Sequence, residues 1–155
     1  FVGIGMGSPG AVDRAKKTVT GAFNLNWAHT EEVGSVIERE LGIPFAIDND
    51  ANVAALGERW TGAGANNPDV VFVTLGTGVG GGLVLNGKLR SGVHFQAGEL
   101  SFILLNPANQ SFDKMSGYLE SAVGMIEKIN QIIGNSDIKD GLIAFKAVQS
   151  KKQKQ

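Results

Sequence analysis

The run from Ile43 to Ile47 is apolar and passes directly into Asp48-Asn49-Asp50, where a helical stretch from Ala51 to about Trp60 begins at once. A short buried strand that hands three consecutive polar residues to a helix N-terminus is a feature of layered α/β folds, and it leaves few alternatives. The segments before it agree. Phe1, Ile4 and Met6, separated by glycines, read as a short buried strand, and Ser8-Pro9-Gly10 turns the chain. Residues 13–29 read as loop or weak strand, with Phe23, Leu25 and Trp27 alternating. Thr30 is placed to cap a helix with Glu31 and Glu32 in its first turn. Val33, Ile37 and Leu41 follow at helical spacing, and Gly42 then Pro44 end the helix.

The stretch Thr61 to Asp69, rich in Gly, Asn and Pro, is the best linker candidate, since the character of the chain changes across it. After it, VVFVTL reads as a buried strand, LGTGVGGG as a tight turn and GLVL as a second strand. Asn86-Gly87 is a strong hairpin signal that leads into Lys88-Leu89-Arg90. Beyond residue 100, the spacing predicts one helix over 116–133 with Leu119, Val123, Ile126, Ile129 and Ile133 on a core-facing stripe. The end, KKQKQ, reads as a solvated, frayed tail rather than a nucleic-acid patch.

Composition excludes several function classes. Fourteen basic against 15 acidic residues, a net charge of -1, leaves no footprint for nucleic acid or an anionic membrane. No apolar run approaches the length of a membrane-spanning helix. The absence of cysteine rules out disulfides, a thiol nucleophile and a cysteine zinc site, and fits a reducing cytoplasm. The chain opens on Phe1 inside a strand-like run, so the expectation is a piece of a larger protein.

Eighteen of the 22 glycines fall in residues 1–100, and some form motifs that mislead. Gly76, Gly78 and Gly81 satisfy G-x-G-x-x-G. A dinucleotide-binding unit needs a helix after the third glycine, and Leu83-Val84-Leu85 followed by Asn86-Gly87 is strand and turn. Gly82 to Lys88 spells the start of a P-loop, but Leu89 offers no hydroxyl for Mg2+. Two readings stay open for the turn itself: a nest of backbone N–H groups that binds phosphate, with the Thr77 hydroxyl beside them, or a tight hairpin with packed glycines.

The acidic turn also has two readings. An Asp or Asn at a helix N-terminus caps it and suits the dipole. Capping accounts for one polar residue but not for three in succession with Asn52 beyond. In open α/β sheets ligands gather at strand ends. A carboxylate there can take the proton of a hydroxyl whose oxygen attacks phosphorus, with Asn49 holding the acceptor in place.

Taken together, IDNDANVAALGERW and VVFVTLGTGVGGGLVLNGKL closely resemble the ROK family of bacterial sugar kinases and repressors, most nearly its glucokinases. GIGMGSPGAVD and NLNW fit the same pattern, and the resemblance runs from residue 1 to about 100. It implies an actin/hexokinase-like (ribonuclease H-like) ATPase fold, α/β, here incomplete and made of parts of two lobes. Residues 1–65 would be the C-terminal part of the first lobe with the Asp turn. Residues 66–150 would begin the second, with a phosphate-binding β-hairpin and a helical segment, and 151–155 would be the polar tail. The implied activity is transfer of a phosphoryl group from ATP with Mg2+ to a hexose, glucose foremost. The resemblance assigns Asp50 as general base, Asn49, Glu99 and Glu120 as sugar contacts, and Gly76, Thr77, Gly78 and Gly80 as the phosphate-facing turn. It also implies a cytoplasmic protein, commonly a dimer or tetramer, with no nucleic-acid or membrane partner. A sugar-responsive transcriptional repressor, or a non-catalytic sugar-binding fragment, is the alternative.

The departures are specific. Where the family often reads G-E-x-G-H, this chain has Gly98-Glu99-Leu100-Ser101-Phe102. Phe102 thus replaces a histidine that touches sugar and ligates a structural zinc. The accompanying cysteines are absent, Tyr118 stands at one of their positions, and no metal site is expected. The family's D-x-G-x-T strand-turn and its adenosine-binding glycine segment do not occur in these 155 residues, so the segment alone is expected to lack half of the ATP clasp.

Overall fold

The computed structural model describes residues 1–105, 108 and 115–152. The chain divides into two compact units: Phe1–Val73 with Gly81–Glu99, and Thr74–Gly80 with the described residues from Leu100 onward.

In the first unit, β1 (Ile4–Ser8) and β5 (Phe45–Asn49) pair in parallel, from Ile4 opposite Phe45 to Ser8 opposite Asn49. Between them the chain makes an antiparallel meander, β2 (Ala11–Asp13), β3 (Thr18–Ala22) and β4 (Trp27–Glu31), and then α1 (Val33–Leu41). Val12, Val19, Ala22, Phe45 and Ile47 form the buried core, with Ile4, Met6, Trp27, Val33 and Ile37 packed against it. Phe1, expected inside, is fully exposed ahead of the first strand.

Residues 13–29, read as loop or weak strand, hold most of the meander, with a 3-10 turn at Phe23–Leu25. The helix start is corrected. Thr30 does not cap α1. It lies in β4 opposite Thr20, and the two hydroxyls are 2.8 Å apart, a cross-strand pair that outweighs the cap. The helix starts after Glu32 without a side-chain cap, and the Gly34 N–H is taken instead by the Lys17 carbonyl at 2.9 Å. Gly42 ends the helix in the left-handed conformation, as its position suggests. Leu41 remains exposed, so the buried stripe of α1 stops at Ile37.

Helix α2 (Asp50–Thr61) follows β5 without a spacer. Residues 61–69 then lead into a three-stranded sheet in the order β6 (Val70–Leu75), β7 (Val79–Leu85), β8 (Lys88–Leu89). Asn86 and Gly87, at φ 53° and 71°, make the tight turn with Leu85 opposite Lys88. The turn is fastened to the preceding stretch, since Asn86 N–H donates to Asp69 and Gly87 N–H to the Pro68 carbonyl, both at 2.7 Å. Strand β7 continues unbroken through Leu85, so no helix opens at Gly81 and the dinucleotide and P-loop patterns have no structural counterpart.

The second unit contains the Gly76–Gly78 turn, a 3-10 turn at Leu100–Phe102, and helices α3 (Ser116–Leu119), α4 (Ala122–Ile133) and α5 (Gly141–Lys152). The single helix expected over 116–133 is two. Ser121 accepts the Gly124 N–H at 3.1 Å, and this cap starts a new helix rather than continuing the old one. The apolar stripe is correspondingly not a core, for Leu119, Val123 and Ile133 are about 40% exposed. The fully buried residue of α4 is Asn130, whose amide donates to the Ile138 and Asp140 carbonyls and ties down the connection to α5. Of the expected tail, α5 runs through Lys152, and residues 153–155 lie outside the described residues.

Candidate functional site

Asn49 ends β5 and caps α2. Its Oδ1 accepts the N–H groups of Ala51 at 3.0 Å and Asn52 at 3.2 Å, and its Nδ2 donates to the Gly10 carbonyl at 3.2 Å. Asp48, also buried, accepts from the Asn49 N–H at 2.7 Å and the Asn52 amide at 3.0 Å, with the Arg14 guanidinium 3.4 Å away. Three of the four polar residues are thus absorbed in building the strand-to-helix junction. Asp50 differs: it is the exposed first residue of α2, and among the described residues its carboxylate accepts only the N–H of the next residue, Ala51, at 2.9 Å. The junction presents one carboxylate to solvent at a helix N-terminus, on a rigid base.

Glu99 belongs to the same unit and is half-buried. Burial pushes its carboxyl above the ordinary glutamate range, and the nearby charge of Asp50 raises it further. Two glycines let this part of the chain close up. A Cβ on Gly82 would collide with the Ala55 side chain and lie 2.9 Å from the Ala51 carbonyl, so β7 packs directly on α2. A Cβ on Gly98 would collide with the Gly81 carbonyl, so the segment bearing Glu99 lies directly on β7. Helix, strand and loop therefore stack closely, with only the Ala55 methyl between helix and strand at Gly82, which brings Glu99 within range of the Asp50 charge.

Glu120 and the glycine turn belong to the second unit. Glu120 is exposed, between α3 and α4, with its N–H bonded to the Ser116 carbonyl at 2.8 Å. In the turn, the Gly76 N–H donates to the Gly78 carbonyl at 2.9 Å, and the Gly76 carbonyl accepts the Ala122 N–H at 3.0 Å. None of Gly76, Thr77, Gly78 and Gly80 has a positive φ, so glycine is not required here for backbone conformation. Among the described residues, the Thr77 and Gly78 N–H groups have no hydrogen-bond partner. They are two adjacent donors at the tip of the turn.

Sequence reasoning did not single out Arg14, Gly82, Gly98 or Ser101, and gave Asn52 no partner. The only signal for Asn52 was its spacing four residues after Asp48, the distance of one helical turn. The other four act through contacts distant in sequence.

Comparison with known proteins bears on the family and the fold. A ROK glucokinase from Streptomyces griseus, solved with glucose and AMPPNP, superposes with a TM-score of 0.70 at 35% identity, over 84% of this chain and 43% of that one. A glucokinase from Halalkalibacterium halodurans is 42% identical over 107 residues, 69% of this chain and 32% of the relative. The xylose repressor of Caldicellulosiruptor bescii is 35% identical over 106 residues, 68% of this chain and 26% of the relative. The chain thus spans about a third of the length of the curated glucokinases it matches. The fold is the α/β, actin/hexokinase-like (ribonuclease H-like) type, of which this chain holds part. The profile described as ROK family matches residues 1–116, and the chain belongs to that family.

Proposed function

We propose that the protein to which this chain belongs is a cytoplasmic sugar kinase that transfers the γ-phosphoryl group of MgATP to a hexose hydroxyl, glucose being the first candidate. The observation that carries the reading is the Asp50 junction, an exposed carboxylate on a pinned helix N-terminus with the raised-pKa Glu99 in range. The glucokinase relatives support the same chemistry. The sugar hydroxyl oxygen bonds to the γ-phosphorus while the bond from phosphorus to the bridging oxygen of ADP breaks, and the hydroxyl proton passes to Asp50. Asn49 offers the sugar the second hydrogen of Nδ2, since Gly10 uses one. Glu99 and Glu120 hold further hydroxyls.

The free N–H groups of Thr77 and Gly78, in the turn that includes Gly76 and leads to Gly80, suit phosphate oxygens. Mg2+ arrives with the nucleotide as a counter-charge to its phosphates. Among the described residues no cluster of His, Asp or Glu is arranged to hold a metal. In this reading residues 1–65 belong to the first lobe and 66–150 open the second, and the whole protein is a homodimer or tetramer. No helix of the described residues is long and apolar enough to cross a membrane.

The test is direct. The full-length protein is incubated with MgATP and a panel of hexoses, and sugar phosphate is measured. Asp50→Ala is expected to cut turnover about a thousandfold with sugar binding retained. Near-normal turnover in that variant would sink the assignment. A second reading, a sugar-responsive repressor, is favoured by the similarity to the xylose repressor. Sugar binding without phosphate transfer, together with sugar-sensitive DNA binding by the full-length protein, would select it.

A further inference from the structure

The Ser101 hydroxyl makes two hydrogen bonds to one residue. It accepts the Val79 N–H at 2.9 Å and donates to the Val79 carbonyl at 2.9 Å. That pattern is what a residue on a neighbouring antiparallel strand offers its partner, N–H for carbonyl and carbonyl for N–H. Here one side-chain oxygen supplies both, at the first residue of β7, directly after the Gly76–Gly78 turn.

The surroundings are shaped to admit this hydroxyl. A Cβ on Gly78 would lie 2.9 Å from Ser101 Oγ, and a Cβ on Gly117 would lie 2.6 Å from both Cβ and Oγ of Ser101. Glycine on both sides gives the serine its seat. The seat is fastened from behind, because Ser116 Oγ donates to the Leu100 carbonyl and Ser116 N–H to the Ile103 carbonyl at 2.9 Å. The other end of the turn is held by the bond from Ala122 N–H to the Gly76 carbonyl. With Gly76 and Val79 both secured, Thr77 and Gly78 lie between two fixed points.

We propose that Ser101 is a positioning residue for nucleotide phosphate. Its hydroxyl fixes Val79, and so holds the Thr77 and Gly78 N–H groups in one arrangement before the phosphates arrive. The inference rests on the kinase reading for the identity of the ligand, but its geometric half is independent of it. Removing the hydroxyl leaves the buried Val79 backbone without two partners and lets the turn sample other conformations. Ordering it again is then charged against nucleotide binding.

The experiment uses the full-length protein with Ser101→Ala and Ser101→Gly, the first removing only the hydroxyl and the second the whole side chain. Both variants are expected to raise KM for ATP about tenfold, since part of the cost of the two lost hydrogen bonds falls on nucleotide binding. Hexose Kd measured without nucleotide should stay within about twofold, and hydrogen exchange at the Val79 amide should quicken. An unchanged KM for ATP, an unchanged Val79 exchange rate, or a parallel loss of hexose and nucleotide affinity would each overturn the proposal. So would failure of both variants to fold, since the hydroxyl would then be holding the unit together rather than tuning the turn. If the wild type phosphorylates no hexose, the kinase reading fails by itself. Ser101 is then judged by Val79 exchange and by the Kd for MgAMP-PNP, and a wild type that binds no MgAMP-PNP defeats both ideas.

Discussion

The charge on Asp50 raises the pKa of Glu99, a residue 49 positions later that half-buries its carboxyl in the same unit. Burial is the larger cause and the Asp50 charge the smaller. The consequence for stability has a definite sign. A carboxyl whose folded pKa lies above its unfolded value binds more protons when folded, so its contribution falls as pH rises. The penalty is absent below the ordinary value of 4.5 and complete above the raised folded pKa. Glu99→Gln removes the ionisation, and the stability of that variant relative to wild type should grow as pH climbs through this window. Urea unfolding from pH 4 to pH 8 checks it, and a constant difference would contradict it. Asp50→Asn should lower the Glu99 pKa only part of the way, as read by carboxyl NMR titration, because burial remains.

The same pair depends on close backbone packing, which gives a second prediction. Gly98→Ala places a methyl group into the Gly81 carbonyl, and Gly82→Ala places one into Ala55. Each is backbone or short side chain that cannot swing aside, so a loss of about 1–3 kcal/mol is expected for each variant. Gly57 in α2 is the contrast, since nothing lies within 4 Å of a Cβ there. Gly57→Ala should stabilise the protein by about 0.5–1 kcal/mol through helix propensity alone. Urea midpoints of the three variants decide the matter, and the order Gly57→Ala above wild type above the other two is the expected result.

These contrasts also mark how far the sequence could be read. The α/β order, the helix after Asn49 and the Asn86-Gly87 turn are legible because each is set by neighbours within a few residues. The meander over 11–31 is legible only as loop or weak strand, since its strands are three to five residues long and their pairing decides them. Thr30 has the chemistry of a helix cap, and only the presence of Thr20 across the sheet makes it a strand residue. Ser121 carried a legible capping signal that the apolar period over 116–133 obscured. At the site, Asp50 stood out by residue type. The division of labour around it, with Asp48, Asn49 and Asn52 absorbed in the junction, needed coordinates. Ser101 stood where the family pattern has glycine, but its partner Val79 is 22 positions away and gave no hint of the contact.

Acid should loosen the first unit at Glu38, the opposite sign to Glu99. Lys17 Nζ lies 2.6 Å from Glu38 Oε1, which also accepts the Phe45 N–H at 3.0 Å. The lysine bond first, and the backbone bond second, hold the Glu38 carboxyl below its ordinary value of 4.5. A depressed carboxyl contributes stability above the unfolded pKa and loses it as pH falls through the folded one. Lys17→Met removes the main cause, so its acid-unfolding midpoint should shift to higher pH, with little change in the interval between wild-type and variant above pH 6. Solvent exposure of this pair keeps the effect small, and circular dichroism along an acid titration is sensitive enough to read it. A midpoint unmoved by Lys17→Met would mean that the Phe45 bond, not the lysine, governs Glu38.

Asn49 is asked to do two things, and two substitutions separate them. Its Oδ1 caps α2 through Ala51 and Asn52, while its Nδ2 holds the Gly10 carbonyl and keeps one hydrogen for a sugar. Asn49→Ala loses both roles, and the lost cap alone should cost about 1 kcal/mol. Asn49→Ser keeps a capping oxygen at the helix N-terminus and loses the amide donor without setting a carboxylate against the Gly10 carbonyl. If Asn49 serves the sugar, Asn49→Ser should recover the cap's share of the melting temperature lost in Asn49→Ala yet still raise KM for hexose at least tenfold in the full-length protein. Thermal unfolding beside steady-state kinetics makes the comparison. A hexose KM that tracks stability across both variants would return Asn49 to a purely structural cap and leave Asp50 without its neighbour's help in placing the hydroxyl.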